Sequence, residues 1–154
     1  MIQLIPIEMM RGEAEEVLYR LLCERTDAKN VNISHVTLPS YEDHQYFVRN
    51  HPFQAWYLIR VQTKDGSLDS VGSIYLTKPP SASRAGSEIG IAVFKDRWRN
   101  GYARAALRGL MEIHGPGPYF ANINPKNAAS LALFFSEGFG FCQMTLRKGA
   151  CPDK

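Results

Sequence analysis

The chain has 154 residues, 45% of them hydrophobic and 21% charged. That fits one globular domain over residues 1–154, leaves little room for a second, and excludes disorder as the main state. A formal net charge of +3 is mildly basic; it suits an anionic cofactor but is too weak to argue for nucleic acid.

The three cysteines, Cys23, Cys142 and Cys151, are odd in number and sparse. They exclude a disulfide framework and read as free thiols of a reducing compartment. None sits in a CxxC pair or a Cys/His cluster, so no metal site is expected. The start, Met1 to Pro6, is apolar, but Glu8, Arg11 and Glu13 follow at once, which does not fit a signal peptide. No apolar run approaches the ~18 residues of a membrane span. A cytoplasmic protein with no membrane partner is the expectation.

In chain order, Met1 to Glu8 reads as a first strand. Ala14 to Arg25 carries apolar residues at 14, 17, 18, 21 and 22, which is helical spacing. Thr26 to Ser40 is rich in Asn, Asp, Ser and Thr and reads as a loop. Tyr41 to Asn50 is a second helix, with Ser40 as its cap. Gln54 to Thr63 and Ser70 to Thr77 are aromatic and β-branched, and Lys64 to Ser67 supplies a turn between them, so they predict an antiparallel pair. Lys78 to Gly86 is a loop and Glu88 to Phe94 a strand. Gly101 to His114 has apolar residues at 103, 106, 107, 110, 111 and 113, an amphipathic helix ended by Gly115-Pro116-Gly117-Pro118. Tyr119 to Asn124 is a short strand. Asn127 to Glu137 is a helix with Asn127 as its cap. Phe141 to Lys148 reads as a last strand.

The most informative stretch runs from Glu88 to Arg104: a strand, a basic loop with a glycine, then a helix. Exposed amides at a helix start, with the positive end of the helix dipole, suit a phosphate. Gly101 lets the backbone come close to a ligand, Ala103 keeps the next turn slim, and Arg99 and Arg104 add charge. A plain glycine turn before a helix has the same spacing. Within the strand, Ile89, Ile91 and Val93 share one face, and Glu88, Gly90 and Ala92 the other. Two very small residues after a carboxylate predict a slot beside the strand; a helix packed there is the alternative.

This segment resembles the acetyl-CoA motif of the GCN5-related N-acetyltransferases, the GNAT superfamily. Its pyrophosphate loop, Gln/Arg-x-x-Gly-x-Gly/Ala, is matched by Trp98-Arg-Asn-Gly101-Tyr-Ala103, with Trp98 departing at the first position. Asn122 to Ser130, followed by Phe134 and Gly138-Phe139, is similar to the family's Asn-x-x-Ser/Ala helix that ends in Gly-Phe. The resemblance is strong from about residue 86 to 141 and rests on element order upstream.

The resemblance implies one α/β domain with a mixed, mostly antiparallel sheet flanked by helices. The sheet splays open between Glu88–Phe94 and Tyr119–Asn124 to admit acetyl-CoA. It implies N-acetyl transfer by direct attack of an amine on the thioester, with no metal. Val93 would hold the pantetheine arm and the thioester carbonyl through its backbone. The amides of Arg99, Asn100, Gly101, Tyr102, Ala103 and Arg104 would hold the pyrophosphate. Asn127 would touch the cofactor, cap its helix, or do both. Glu88 stands where several members carry a general base; a solvated or arginine-paired glutamate is the alternative. An ammonium of pKa near ~10.4 must lose a proton before it attacks.

The tyrosine that usually protonates the leaving thiolate is replaced by Phe134. Tyr102, Tyr119 or a water could serve instead, or the domain could bind acyl-CoA without transferring it. A nucleotide on the basic loop is a further possibility. Tyr41, His44 and Tyr46 lie where the family builds its acceptor site, and the acceptor would be a small-molecule or protein amine. His35, His51 and His114 are scattered. Trp56-Tyr57 reads as core strand. The family adds a strand pair near its C-terminus where this chain has one strand, so an open sheet edge and a homodimer that covers it are expected.

Overall fold

The computed structural model describes residues 1–27, 37–79, 86–144, 146 and 148. Among these residues five strands form one sheet in the order β1-β2-β3-β4-β5. They are β1 (Ile2–Pro6), β2 (Ala55–Gln62), β3 (Leu68–Leu76), β4 (Ser87–Val93) and β5 (Tyr119–Phe120). All neighbours are antiparallel except β4 and β5, which are parallel. This is the mixed, mostly antiparallel sheet expected from the sequence.

Among the described residues four α-helices flank it: α1 (Glu13–Asp27), α2 (Tyr41–Arg49), α3 (Tyr102–His114) and α4 (Ala128–Ser136). Ser40 caps α2, its hydroxyl accepting the Asp43 N–H at 3.1 Å. Asn127 caps α4, its Oδ1 accepting the Ser130 N–H at 3.1 Å. Each cap satisfies an amide that a helix start leaves without a partner.

The alternation of the strands splits the core in two. Tyr57, Ile59, Val61, Ile74, Leu76 and Ile89 face α3 and α4, where Ala106, Leu107, Leu110 and Phe134 meet them. Trp56, Leu58 and Phe94 face α1 and α2, against Val17, Leu18, Leu21 and Val48. Trp56 and Tyr57 are both buried, as core strand residues should be.

Two strands are shorter than their hydrophobic pattern predicts. β1 stops at Pro6, and a 3₁₀ turn covers Ile7–Met10. β5 stops at Phe120; residues 121–124, Ala-Asn-Ile-Asn, leave the sheet, in keeping with the low strand preference of asparagine. The expected strand Phe141 to Lys148 is corrected: residues 141–144, 146 and 148 are not in a strand. Phe141, Met144 and Leu146 are instead exposed. Alternation alone does not make a strand, which exists only where another backbone accepts its hydrogen bonds. Most of the expected loop Thr26 to Ser40, most of the loop Lys78 to Gly86, His35 and Cys151 lie outside the described residues.

Candidate functional site

The site begins where β4 loses its neighbour. β4 meets β5 only at Ser87↔Tyr119 and Glu88↔Phe120. The Thr77 N–H donates to the Glu88 carbonyl at 2.9 Å and the Phe94 N–H to the Val71 carbonyl at 3.0 Å, both on the β3 side. The Ser87 N–H donates the other way, to Pro118, at 3.2 Å. Peptide groups alternate along a strand, so Ile89, Ile91 and Val93 turn theirs toward the side β5 has left. The splayed opening expected from the sequence is therefore present, lined by strand backbone.

The loop after β4 leads straight to the start of α3. Gly101 is the residue before the helix and sits at φ +77°, a left-handed conformation that favours glycine. It has no side chain to cap the helix, and among the described residues α3 has no side-chain cap at its start. A Cβ at Gly101 would meet nothing within 4 Å. Arg99 is also left-handed, at φ +64°. The Asn100 amide donates to the Arg97 and Trp98 carbonyls at 3.0 and 3.1 Å and so shapes the loop. The Trp98 indole Nε1 donates to the Val93 carbonyl at 2.8 Å, on the unpaired side of β4.

The arginines divide. Arg97 pairs with Asp69 at 2.6 Å. Arg104 and Arg108 both bind Glu137, at 3.2 and 2.7 Å. That carboxylate is 7% exposed, and the Arg108 guanidinium holds it below the usual carboxylate range. These pairs fix the C-terminal end of α4 against α3. Arg99 is exposed and has no ion pair among the described residues. Of the two arginines expected to add charge, Arg104 is thus committed to the fold and Arg99 is not; among the described residues no side chain caps the amides of Tyr102, Ala103 and Arg104 at the helix start.

Glu88 lies on β4 beside the opening, partly exposed. Its N–H donates to the Thr77 Oγ1 at 2.9 Å. Among the described residues no arginine pairs with its carboxylate. The slot expected beside Gly90 and Ala92 is filled by a side chain the sequence reading did not place there. Tyr75 pairs with Gly90 across β3 and β4, and a methyl at Gly90 would overlap the phenol end of its ring. That ring stacks on Phe53 at 4.2 Å. Burial, with Glu88 nearby, pushes the phenol up from its ordinary value, and Arg25 pulls it partly back. Arg25, on the last turn of α1, is itself pulled down by burial. Neither Tyr75 nor Arg25 could be found from spacing: the β3–β4 register brings Tyr75 opposite Gly90, and the packing of α1 brings Arg25 near Tyr75.

The other expected residues sort by environment. Phe134 is 4% exposed and packs edge-on against Phe139 in the α3-side core. Tyr119 donates its hydroxyl to the Gly115 carbonyl, and Tyr102 packs against the same core. His44 is 5% exposed, bonds the Glu15 carbonyl at 3.2 Å, and is held below its usual pKa by burial. It ties α2 to α1 and does not face the opening. Tyr41 and Tyr46 are exposed. His51 pairs with Glu8 and His114 with the Tyr57 hydroxyl, each at 3.0 Å. The described cysteines, Cys23 and Cys142, are free. Among the described residues no group of His, Cys, Asp and Glu could hold a metal, and no helix is long and apolar enough to cross a membrane.

A sheet opened at one parallel strand, feeding an uncapped helix start, is matched by a known family. The acetyltransferase (GNAT) domain family matches residues 7–140, and the chain belongs to that family. Solved structures agree in fold. A domain from Methanocaldococcus jannaschii superposes with a TM-score of 0.71 at 18% identity, covering 94% of this chain and 90% of that one. A ribosomal-protein-alanine N-acetyltransferase from Brucella melitensis gives 0.66 at 22%, covering 93% and 86%. The yncA protein of Salmonella typhimurium, solved with its cofactor acetyl-CoA, gives 0.60 at 17%, covering 90% and 78%. No curated protein matches the chain.

Proposed function

We propose that this protein is an acetyl-CoA-dependent N-acetyltransferase that moves an acetyl group to an amine by direct attack on the thioester. The observation that carries this is the unpaired edge of β4 leading into the left-handed Gly101 and the uncapped amides of α3. Such an edge fits an amide-bearing arm, because each exposed peptide group wants a partner. The helix start fits a pyrophosphate. The residues present therefore fit acetyl-CoA, which also accompanies the yncA structure.

On this reading the Val93 backbone and the other edge groups of β4 hold the pantetheine arm. The amides from Arg99 to Arg104 hold the pyrophosphate, and Asn127 reaches the cofactor with the amide nitrogen its capping bond leaves over. Glu88 takes the proton from the acceptor's ammonium. A backbone N–H on the β4 edge meets the oxyanion; losing such a donor typically costs ~100–1000-fold in rate. The acceptor is an amine on a small molecule or a protein.

The test is release of free thiol from acetyl-CoA over a library of amines, beside a melting curve with the cofactor. Ligand at ~100 times its dissociation constant adds ~2.7 kcal/mol. A melting temperature unmoved by saturating acetyl-CoA overturns the cofactor assignment. The buried Phe134, with no hydroxyl at the usual acid position, favours a second reading: a module that binds acyl-CoA without transferring it. Cofactor binding without thiol release on any amine would establish that instead.

A further inference from the structure

Phe134 leaves the leaving thiolate without its usual proton donor. Tyr119 spends its hydroxyl on Gly115, and Tyr102 packs, partly buried, against the α3-side core. Tyr75 is a third phenol, and its position is specific. It stands on β3 directly opposite Gly90. Gly90 has no side chain, and the phenol end of the ring occupies the space that a Cβ there would fill. Any other residue at 90 would push the ring away. Phe53 stacks on the ring at 4.2 Å with planes 6° apart and fixes its direction. The neighbours of Gly90 on β4 include Ile91, whose N–H faces the unpaired edge. The phenol therefore covers the same strand whose free edge, on the reading above, holds the thioester.

We propose that Tyr75 is a catalytic residue of acetyl transfer and gives its hydroxyl proton to the departing sulfur of CoA, in the role Phe134 cannot fill. The proposal rests on the acetyltransferase reading above. The amine nitrogen attacks the thioester carbon, the C–S bond breaks, and its electron pair stays on sulfur. The sulfur takes the Tyr75 proton. The phenolate recovers a proton from the Glu88 carboxyl, which took it from the acceptor ammonium. The amide nitrogen loses its second proton to water, and both side chains return to their starting forms. Two charged groups face the phenol: Glu88 from β4 and Arg25 from α1. A phenol is protonated at neutral pH already at its ordinary value of about 10, and burial with Glu88 nearby raises it further.

Tyr75→Phe keeps the stacked ring and removes only the hydroxyl. The assay is thiol release with an accepted amine, beside acetyl-CoA affinity and a melting curve. The expected result is a fall in kcat of about 100-fold or more, with acceptor KM and acetyl-CoA affinity within about threefold of the parent. A kcat within about threefold, or a loss confined to KM, overturns the proposal. A fluorinated tyrosine at position 75, which lowers the phenol's pKa, settles the matter even if Tyr75→Phe fails to fold. Activity should be retained, and its decline at high pH should move to lower pH with the phenol. A decline that stays in place overturns it. If the parent binds acetyl-CoA yet releases thiol with no amine, the transfer reading itself fails, and this proposal with it. Activity in both parent and Tyr75→Phe removes Tyr75 alone.

Discussion

The Trp98 indole Nε1 donates to the Val93 carbonyl at 2.8 Å, across the unpaired side of β4. Trp98 stands at the first position of the loop motif, where the family carries Gln or Arg. It is 52% exposed, so the bond forms at the rim of the opening. A cofactor arm that hydrogen-bonds the β4 edge must compete with the indole for this carbonyl. One neutral hydrogen bond is worth about 0.5–1.5 kcal/mol net. Trp98→Phe is therefore expected to tighten acetyl-CoA binding by about 2- to 10-fold, measured by calorimetry. It should also remove any change in tryptophan emission on binding, since the other tryptophan, Trp56, is buried. Weaker binding would mean that the indole itself holds the cofactor.

Gly101 separates a conformational cost from a binding cost. At φ +77° an alanine pays about 1–2 kcal/mol for the left-handed backbone. Its methyl meets no protein atom within 4 Å, so nothing else should be lost in the free protein. Gly101→Ala should lower the melting temperature by a few degrees. If phosphates approach the loop there, it should also weaken CoA at least about tenfold. Equal affinity in the folded variant would place the phosphates elsewhere.

The fold was legible where a local rule decides it. Ser40 and Asn127 are capping residues, and both cap. Gly115 ends α3 at a positive φ of 78°, a backbone that glycine adopts readily, as its place after an amphipathic run predicts. The loop motif was legible because Gly101 marks a turn chemistry few other residues supply. What failed was longer in range. The alternation from 141 to 148 predicts a strand, but a strand needs a partner edge, and a local pattern carries no information about one. The slot beside Gly90 was half right: the two small residues do leave space, but cross-strand register decides what fills it. Tyr75 is 15 residues away in sequence and directly opposite in the sheet. Arg104 and Arg108 look like free charges in the sequence because their partner, Glu137, lies on a different helix.

Glu137 provides a test of that helix tie through pH. Its carboxyl sits below the usual range because Arg108 hydrogen-bonds its charged form, with Arg104 adding to the effect. A carboxylate with a lowered folded pKa stabilises the fold above its unfolded pKa, roughly pH 4–4.5, and loses that contribution as pH falls through the folded value. Glu15, bound by Arg49 at 2.7 Å, is lowered for the same reason and acts in the same direction. Melting temperature should therefore fall as pH drops below about 4.5. Glu137→Gln should lower the melting temperature at pH 7 and leave a shallower acid decline. Parallel curves for parent and variant would mean that the pair contributes nothing to stability.

Glu88 carries the last prediction and the central chemical assignment. Its carboxylate shares the face of β4 with Gly90 and the phenol of Tyr75, and no arginine among the described residues pairs with it. Its backbone is already anchored by Thr77, through the hydroxyl and the N–H, both at 2.9 Å. The side chain is thus not needed to hold the strand, and Glu88→Gln should fold with a melting temperature near the parent's. Glutamine keeps the size and most of the hydrogen bonding but cannot take a proton from an ammonium. A base in this position typically contributes ~100–10,000-fold. Near-normal acetyl-CoA affinity with a loss of turnover of that order at pH 7 is the expected outcome. The deficit should shrink as pH rises, because an amine of pKa near ~10.4 increasingly arrives neutral without help. A variant as active as the parent at pH 7 would place the base elsewhere. A variant that fails to fold would make Glu88 a structural residue. A deficit unchanged from pH 7 to about 10 would mean that Glu88 positions the acceptor and does not move its proton.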